Sequence, residues 1–436
     1  MKNKRNWDSA AMFLIFEGIA YTMVLNLYNP FTQMFAKRMG GGDLHTALIN
    51  SLPPLAAIFV LLPAGILIER LNRKKQTVMV LLSVISLFYA AIAFVPMIPH
   101  EAKVMIFVIL IGLMNGPGSL YLTTWQSYFA DNFKGSYASR LYTIRSKYST
   151  FFGLMTVLVT GLLLTNVPKT DAERLFLYQI FYGVCFVLTI IQIVFFSRIN
   201  SQKTVETGSV GINDLPPKHS DTKQKNRTHL FRKEDFSGVL KNKKFLLFCL
   251  CGFVFHMAWQ MAWPLFFIYQ TDYAHLNELQ LSLVNLSSGV TQFLTFSLWN
   301  RLIEKKGGSL VIVIGAAGLA VTPFIYTFSI GFPLIILQSI FGGVFQAAFN
   351  VTVFLCLIEI LTMEKKTVYI AVFNTLTSLT GFMAPLIGLW ILNMTNIYIA
   401  MAIAGTCRVV GALLYLIRWL KERKSSVPVN SNANAA

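Results

Sequence analysis

The feature that most constrains this chain is the recurrence of apolar runs that are long enough to cross a lipid bilayer. A membrane-spanning helix needs about 20 mainly apolar residues. The 436 residues are 55% apolar and only 13% charged, with a mean hydropathy of +0.58, which excludes an ordinary soluble protein. Twelve spans are predicted, at roughly 10–35, 46–66, 77–98, 104–129, 149–166, 175–197, 245–270, 280–299, 309–330, 333–358, 368–392 and 397–417.

The basic residues indicate how these spans are oriented. The formal net charge is +18, and nearly all of the positive charge falls in the termini or in loops on the side of the membrane that bears them. The exceptions are Lys37, Arg38, Lys103, Lys169, Arg174 and Arg408. The positive-inside rule therefore predicts that both termini are cytoplasmic. Anionic lipid at the inner surface explains the basic excess, so a nucleic-acid partner is not expected.

The sequence offers little support for catalysis or for a bound cofactor. The five cysteines lie within predicted spans, without the spacing of a metal site, and free cysteine is commonly a core residue. A nucleotide-binding loop and a hydrolytic set of residues are both missing from the sequence. We therefore predict no enzyme activity, no metal and no cofactor.

The spans fall into two groups of six with similar local sequences. Residues 67–75 read LIERLNRKK and residues 298–306 read LWNRLIEKK, so five of nine positions are identical. Weaker matches pair Asn26 with Gln260 and Gly153 with Gly381. An internal duplication is therefore predicted. We expect a six-helix bundle over 1–197, a basic cytoplasmic linker over 198–244, a second bundle over 245–424 and a disordered tail over 425–436.

The loop between the second and third spans resembles the loop signature of the major facilitator superfamily, G-x-L-a-D-R-x-G-R-K. The chain has Gly65, Arg70, Arg73 and Lys74 at the matching positions, with Glu69 for the acid and Asn72 for the second glycine. The resemblance implies an all-α membrane protein of 12 transmembrane helices in two pseudo-symmetric six-helix bundles. It also implies transport by alternating access, with helices 1, 4, 7 and 10 around a central cavity.

In this family, charges of the loop form a latch with an acid at the end of helix 4. Carried over to this chain, the resemblance implicates Glu69, Arg73 and Asp131, with Arg301 and Glu359 as a weaker copy in the second half. Such a latch biases a two-state equilibrium. The alternative is that these are only solvated charges on the cytoplasmic side.

Ionisable residues inside predicted spans are costly and commonly serve function. Glu17 lies about two turns into the first span, in FEGIAY; its setting is similar to that of an acid in some proton-coupled multidrug exporters. We predict a proton-coupling role, the alternative being a structural carboxyl bonded to a neighbouring helix or to Arg408. His256 is a second candidate proton carrier. Arg408 is a candidate cavity residue, although a structural pair is the alternative reading.

Aromatic and amide side chains complete the predicted cavity, and rings with few charges suit an amphiphilic or aromatic substrate. Some of the rings could instead form an interfacial aromatic belt. The candidates are Tyr21, Asn26, Asn115, Tyr121, Trp125, Gln126, Trp259, Gln260, Trp263, Gln346 and Asn350.

These features together predict a secondary transporter, a monomer of a bacterial inner membrane in contact with membrane lipid. We expect proton-coupled efflux, hence an antiporter, of a small amphiphilic molecule. The direction of transport stays open, because the Gly-Pro signature of drug antiporters is missing from helix 5. Uptake of a nutrient or organic anion is the rival within transport. A non-transporting sensor or scaffold on the same fold is the rival of another class.

Overall fold

The computed structural model describes residues 9–70, 73–98, 102–133, 135–199, 242–328, 331–360 and 366–425. Within these ranges the regular structure is helical, with twelve long helices. The helices are α1 (Ser9–Tyr28), α2 (Asp43–Arg70), α3 (Lys74–Phe94), α4 (Lys103–Asn132), α5 (Gly135–Asn166), α6 (Asp171–Ser197), α7 (Lys243–Ile268), α8 (Glu278–Lys306), α9 (Gly308–Tyr326), α10 (Phe332–Ile360), α11 (Lys366–Met394) and α12 (Ile397–Ser425).

Eleven membrane spans within these ranges are long and apolar enough to cross a bilayer. The exception is α8, which has transmembrane length but is rich in Ser, Thr, Asn and Gln. Several of these side chains hydrogen-bond to backbone carbonyls of their own helix; Asn285, for example, donates to Leu281 O at 2.9 Å. This internal bonding reduces the cost of placing polar groups in a membrane.

Local sequence explains where several helices begin and end. The side chain of Thr170 caps α6 by accepting from Glu173 N. Asn277 and Gln280 form a reciprocal capping box at the start of α8. That helix ends at Gly307, whose φ of 85° is a conformation that glycine adopts readily. The first span continues beyond α1 through a 3₁₀ turn at Asn29–Phe31 and a short helix at Thr32–Arg38, where Pro30 interrupts regular helical bonding.

The two halves repeat one packing scheme. In the first half α1 packs on α5 and α6, α3 on α4 and α6, and α2 on α4. Adding six to each number gives the main pairs of the second half: α7 with α11 and α12, α9 with α10 and α12, and α8 with α10. This correspondence confirms the predicted fold of two six-helix bundles.

Two glycines show the repeat at the level of single contacts. A Cβ at Gly153 of α5 would meet the Asn26 side chain of α1 at 2.8 Å. The matching glycine, Gly381 of α11, lies beside the matching amide, Gln260 of α7, at 3.6 Å. The pairings at offsets of 234 and 228 residues therefore correspond to equivalent places in the two bundles.

The halves meet through α2 against α11 and α5 against α8. With twelve spans, the start of α1 and the end of α12 lie on one side of the membrane, which we name the terminal side. On the opposite side, Arg38 pairs with Glu278 at 2.9 Å and Lys37 pairs with Asp272. Arg174 approaches Glu278 at 3.8 Å. These ion pairs hold the two halves together there, so the described state is closed on the opposite side.

One predicted boundary was wrong in a way that affects the site. The fifth span was placed at 149–166, but α5 begins at Gly135 and its membrane-spanning part at Arg140. Arg145, which the prediction left in a loop, is therefore inside the bundle. Residues 200–241 of the predicted linker and 426–436 of the predicted tail lie outside the described residues.

Candidate functional site

A buried carboxylate cluster connects four helices of the first half. Glu17 of α1 is fully buried and accepts from Tyr121 OH of α4 at 2.8 Å, from Arg145 of α5 at 2.9 Å and from Gln192 Nε2 of α6 at 2.9 Å. Gln192 also donates to Tyr121 OH at 2.8 Å. A buried charge is tolerated only when it is paired and hydrogen-bonded, and Glu17 meets both conditions.

Small and aromatic neighbours make room for the Arg145 guanidinium. A Cβ at Gly18 would overlap the Arg145 side chain at Nε, so a larger residue there would displace the arginine. The guanidinium carbon lies 4.2 Å from the centre of the Trp125 ring, a cation–π contact. Of the two partners considered in the structural alternative for Glu17, a neighbouring helix and Arg408, the structure has the first, since Arg145 of α5 bonds the carboxylate.

A polar chamber of about 210 Å³ lies inside the first half, beside this cluster. It is bounded by α1, α3, α4 and α6. Tyr121 and Gln192, which bond Glu17, form part of its wall. The other polar groups of the wall are Tyr21, Tyr28, Asn29, Tyr89, Asn115, Ser119 and Thr189.

A second cavity, of about 340 Å³, lies between the two halves. The first half contributes residues of α2 and α4, and the second half contributes residues of α7 and α11. The lining residues are Pro53, Pro54, Ala57, Asn115, His256, Trp259, Gln260, Trp263, Thr377 and Ser378. None of these described lining residues carries a formal charge at neutral pH, so the cavity suits an uncharged group.

Two side chains of this cavity have hydrogen-bonding capacity that the protein does not use. Both ring nitrogens of His256 and the Oε1 of Gln260 lack a hydrogen-bond partner among the described residues. Buried polar atoms without partners are uncommon and costly. The rings of Trp259 and Trp263 stand edge to face with centres 5.7 Å apart. The cavity wall therefore combines aromatic rings with two residues, His256 and Gln260, whose buried polar atoms are unpaired within the described protein.

Arg408 belongs to helix packing rather than to the cavity wall. Its side chain is buried and donates to Leu319 O at 2.9 Å, to Thr322 Oγ1 at 2.7 Å and to Trp259 O at 2.8 Å. Leu319 O lacks its usual partner within α9, because residue 323 is proline and has no N–H. Arg408 thus satisfies backbone carbonyls of α7 and α9 from its place on α12.

At the terminal side, the loop signature makes a different contact from the predicted one. Lys74 Nζ donates to Asp131 Oδ2 at 2.6 Å and to Ser127 Oγ at 2.7 Å. Arg73, predicted to pair with Asp131, is exposed and contacts Gln76 at 3.5 Å. Arg73 therefore does not pair with Asp131 in this state, and the contact is made by its neighbour Lys74.

The rest of the predicted latch is only partly described. Glu359 lies beside Gly308 at the start of α9, the place equivalent to that of Asp131 beside the start of α3. Arg301 is exposed near the end of α8. The side chains of Gly65, Glu69 and Arg70 lie outside the described part of the structure, so their roles stay predictions.

The structure brings some predicted cavity residues together and separates others. Asn115, His256, Trp259, Gln260 and Trp263 line the cavity between the halves, whereas Tyr21, Tyr121 and Trp125 belong to the chamber or to the carboxylate cluster. Asn26, Gln126, Gln346 and Asn350 line neither space. Sequence reasoning missed Arg145, Gln192, Pro53, Pro54, Thr377 and Ser378. Gln192 had a usable signal, because an amide in an apolar span is costly.

Comparisons with known proteins agree with this geometry. The nucleoside transporter NupG, in a mutant form, superposes with a TM-score of 0.71 at 13% identity, covering 94% of this chain and 99% of that chain. Unmodified NupG gives 0.69 at 14% identity, with the same coverage. The POT family transporter PepTSo gives 0.69 at 11% identity, covering 97% and 99%. At these identities the likeness concerns the fold alone. A search of curated proteins finds no match.

The sequence profile of the Major Facilitator Superfamily matches twice, over residues 14–251 and 248–435. The two matches divide the chain where the packing scheme starts its repeat, and together they cover nearly all of it. The chain is therefore a multi-pass membrane transporter that belongs to the Major Facilitator Superfamily.

Proposed function

We propose that this chain is a proton-coupled symporter that imports an uncharged, ring-bearing solute, with nucleosides as the first candidate class. The observation that carries the proposal is the cavity between the halves, where Trp259 and Trp263 stand beside unpaired polar atoms of His256 and Gln260. Aromatic faces suit a planar base, and the free donors and acceptors suit its ring nitrogens and the hydroxyls of a sugar.

The size and charge of the cavity narrow the substrate class. Its volume of about 340 Å³ falls at the lower end of the range of about 300–1,000 Å³ for small-molecule sites. A free dipeptide is zwitterionic and would need opposite charges on both of its ends, which the described lining residues do not supply. The nucleoside transporter NupG shares this fold, which agrees with an uncharged heterocycle as substrate but does not by itself assign one.

The proposed proton site is Glu17, and its position favours symport. Glu17 lies within the first half, bonded to Arg145, Tyr121 and Gln192, outside the cavity between the halves. Proton and substrate can therefore be bound at the same time, which symport requires. A proton on Glu17 would neutralise the carboxylate that holds α5 through Arg145, so protonation would change the relative stability of the two transport states.

Efflux of an amphiphilic compound in exchange for protons is the second candidate. The apolar part of the cavity wall, formed by Pro53, Pro54 and Ala57 opposite the tryptophans, favours it. In either case we propose an inner-membrane location with cytoplasmic termini, because the basic residues are concentrated on the terminal side. The state closed on the opposite side would then face the cytoplasm.

Transport of tritiated uridine into proteoliposomes tests the proposal. An inside-alkaline pH gradient should drive accumulation in the parent, and an inside-acidic gradient should drive it if the chain is an antiporter. Trp259→Ala should weaken uridine binding, whereas Trp390→Ala, at a tryptophan of α11 that is 61% exposed, should not. Glu17→Gln should abolish the response to the gradient while leaving exchange of uridine intact. Failure of both gradients to move uridine or adenosine would contradict the proposal.

A further inference from the structure

We infer that the polar chamber within the first half is a hydrated route by which protons reach Glu17, separate from the substrate cavity. This inference rests on the proposed function, because it assigns the path of the coupling proton. It identifies a second ligand site in the bundle, for water and hydronium, with the substrate cavity on the other side of α4.

The chamber extends from the neighbours of Glu17 to a depth in the membrane that is much nearer to the opposite side. At one end its wall includes Tyr121 and Gln192, which bond Glu17. At the other end it includes Tyr28 and Tyr89, whose side chains share a hydrogen bond. Tyr28 lies 11 residues beyond Glu17 along the first span, a rise of about 16 Å in a helix. The distance along the membrane normal between Glu17 and the far end of the chamber is therefore roughly half of the apolar thickness of a bilayer.

The chamber has room for water, and polar groups in its wall alternate with the apolar residues Val24, Leu25, Leu82, Ile85, Met114 and Leu122. A site holds water when it is roomy enough and offers each molecule two to four polar partners. The chamber has about 210 Å³, space for several waters. Hydroxyls of Tyr28, Tyr89, Ser119 and Thr189 and the amide of Asn29 surround it. Waters bridging these groups would form a continuous hydrogen-bonded chain to Tyr121 and Gln192.

The groups that face Glu17 define what a proton arriving there would change. They are Arg145 from α5, Tyr121 from α4, Gln192 from α6 and Tyr21 one turn along α1. Arg145 is the only cation among these described neighbours. A hydronium ion would give its proton to a carboxylate oxygen of Glu17 and remain as water. The loss of negative charge would weaken the bond with Arg145 and release α5 from α1.

Asn115 separates the proton route from the substrate cavity. It contributes to the wall of both spaces, and it is followed by Gly116, Pro117 and Gly118, where the proline interrupts helical bonding in α4. Six residues further along the same helix, Tyr121 donates to Glu17. A substrate that binds Asn115 therefore contacts the element that positions the proton site, without sharing space with the proton.

Filling the chamber tests the route. A Cβ at Gly118 would meet no atom within 4 Å, and Gly118 lines the chamber but not the substrate cavity, so Gly118→Leu would occupy chamber volume. Gly183→Leu on α6 is the matched control, since its Cβ would also meet nothing within 4 Å and it lines neither space. The measurement is a pH jump on full-length protein in proteoliposomes, followed by the infrared band of a protonated carboxyl that Glu17→Gln removes.

Gly118→Leu should slow protonation of Glu17 by about tenfold or more, with Gly118→Ala intermediate and Gly183→Leu equal to the parent. Uridine exchange at equal pH should persist in the leucine variant, which shows that it folds. If the leucine variant does not fold, the protonation rate of Glu17 in the Gly118→Ala variant tests the route instead. Unchanged protonation rates in the filled variants would overturn the route. If the parent does not couple uridine to protons, the proposed function fails, while the infrared rates still decide how protons reach Glu17.

Discussion

The pair formed by Glu17 and Arg145 allows a quantitative prediction about the stability of the first half. The carboxylate is fully buried and the arginine side chain is only 10% exposed, so each charge depends on the other. Removing one partner of a buried pair costs about 3–5 kcal/mol, because the remaining charge is left uncompensated. We expect Glu17→Gln and Arg145→Met each to destabilise the protein by an amount in that range.

The double variant should be much less unstable than the sum of the two single variants. With both charges gone, the site contains an amide that still accepts from Tyr121 and a thioether that fills the space of the arginine stem. Interaction energies between contacting residues are about 0.5–3 kcal/mol, and burial places this pair at the upper end. We therefore expect a coupling energy of about 2–3 kcal/mol from the complete cycle.

Equilibrium unfolding in mixed micelles, followed by circular dichroism, provides the free energies for this cycle. Arg301→Met, at an exposed arginine of α8, serves as the control and should change the free energy of unfolding by less than about 0.5 kcal/mol. Additivity of the two single variants to within about 0.5 kcal/mol would refute the reasoning, since it would mean that neither charge depends on the other for its stability.

Two further predictions concern the two sides of the membrane. Glu278 is 1% exposed and shared by two arginines, so Glu278→Gln should favour opening of the opposite side, measured as faster thiol labelling of a cysteine placed at the buried Ser282; an unchanged labelling rate would count against this gate. Lys74→Gln and Asp131→Asn should both slow turnover and leave substrate affinity nearly unchanged, whereas Arg73→Gln should have little effect. An equal loss of turnover in all three variants would show that Arg73 also takes part in the latch.

The fold could be predicted because the features that determine it are local in the sequence. Apolar runs of bilayer length, the repeated loop at 67–75 and 298–306, and the distribution of basic residues are all local features. The alternating-access architecture then followed from the family resemblance. The structure added the packing pairs, which connect helices distant in sequence and leave no periodic signal.

The site was less predictable, because partners come from helices whose boundaries are uncertain. Glu17 was identified by its cost in a membrane, but its basic partner could not be named, because Arg408 was the one basic residue that the predicted spans contained. Arg145 was hidden because polar residues at the start of α5, such as Ser146 and Lys147, resemble a loop. The cavity residues of α7 were found, since spacings of three and four place His256, Trp259 and Trp263 on one face of a helix.

The duplication places different side chains at equivalent positions of the two halves. At one equivalent place in each bundle a glycine lets a side chain from a neighbouring helix pass: Gly18 lies against Arg145, and Gly252, 234 residues later, lies against Phe373 at 2.8 Å. In the first half the passing group is a guanidinium bonded to Glu17. In the second half it is a ring that packs against Phe248 and near His256.

The backbone frame is therefore the same in both halves, while the chemistry placed on it differs. Under the proposed function, the charge pair in the first half responds to a proton, because protonation removes one of its two charges. The Phe373 ring at the equivalent place in the second half has no ionisable group, and it packs against His256 of the cavity wall. A double variant tests this division. Arg145→Phe combined with Glu17→Cys gives the first half the residues found at the equivalent positions of the second half. This variant should retain the fold and uridine exchange but lose the response to a pH gradient. Loss of exchange together with coupling would contradict this division, because it would make the pair of Glu17 and Arg145 part of the substrate site.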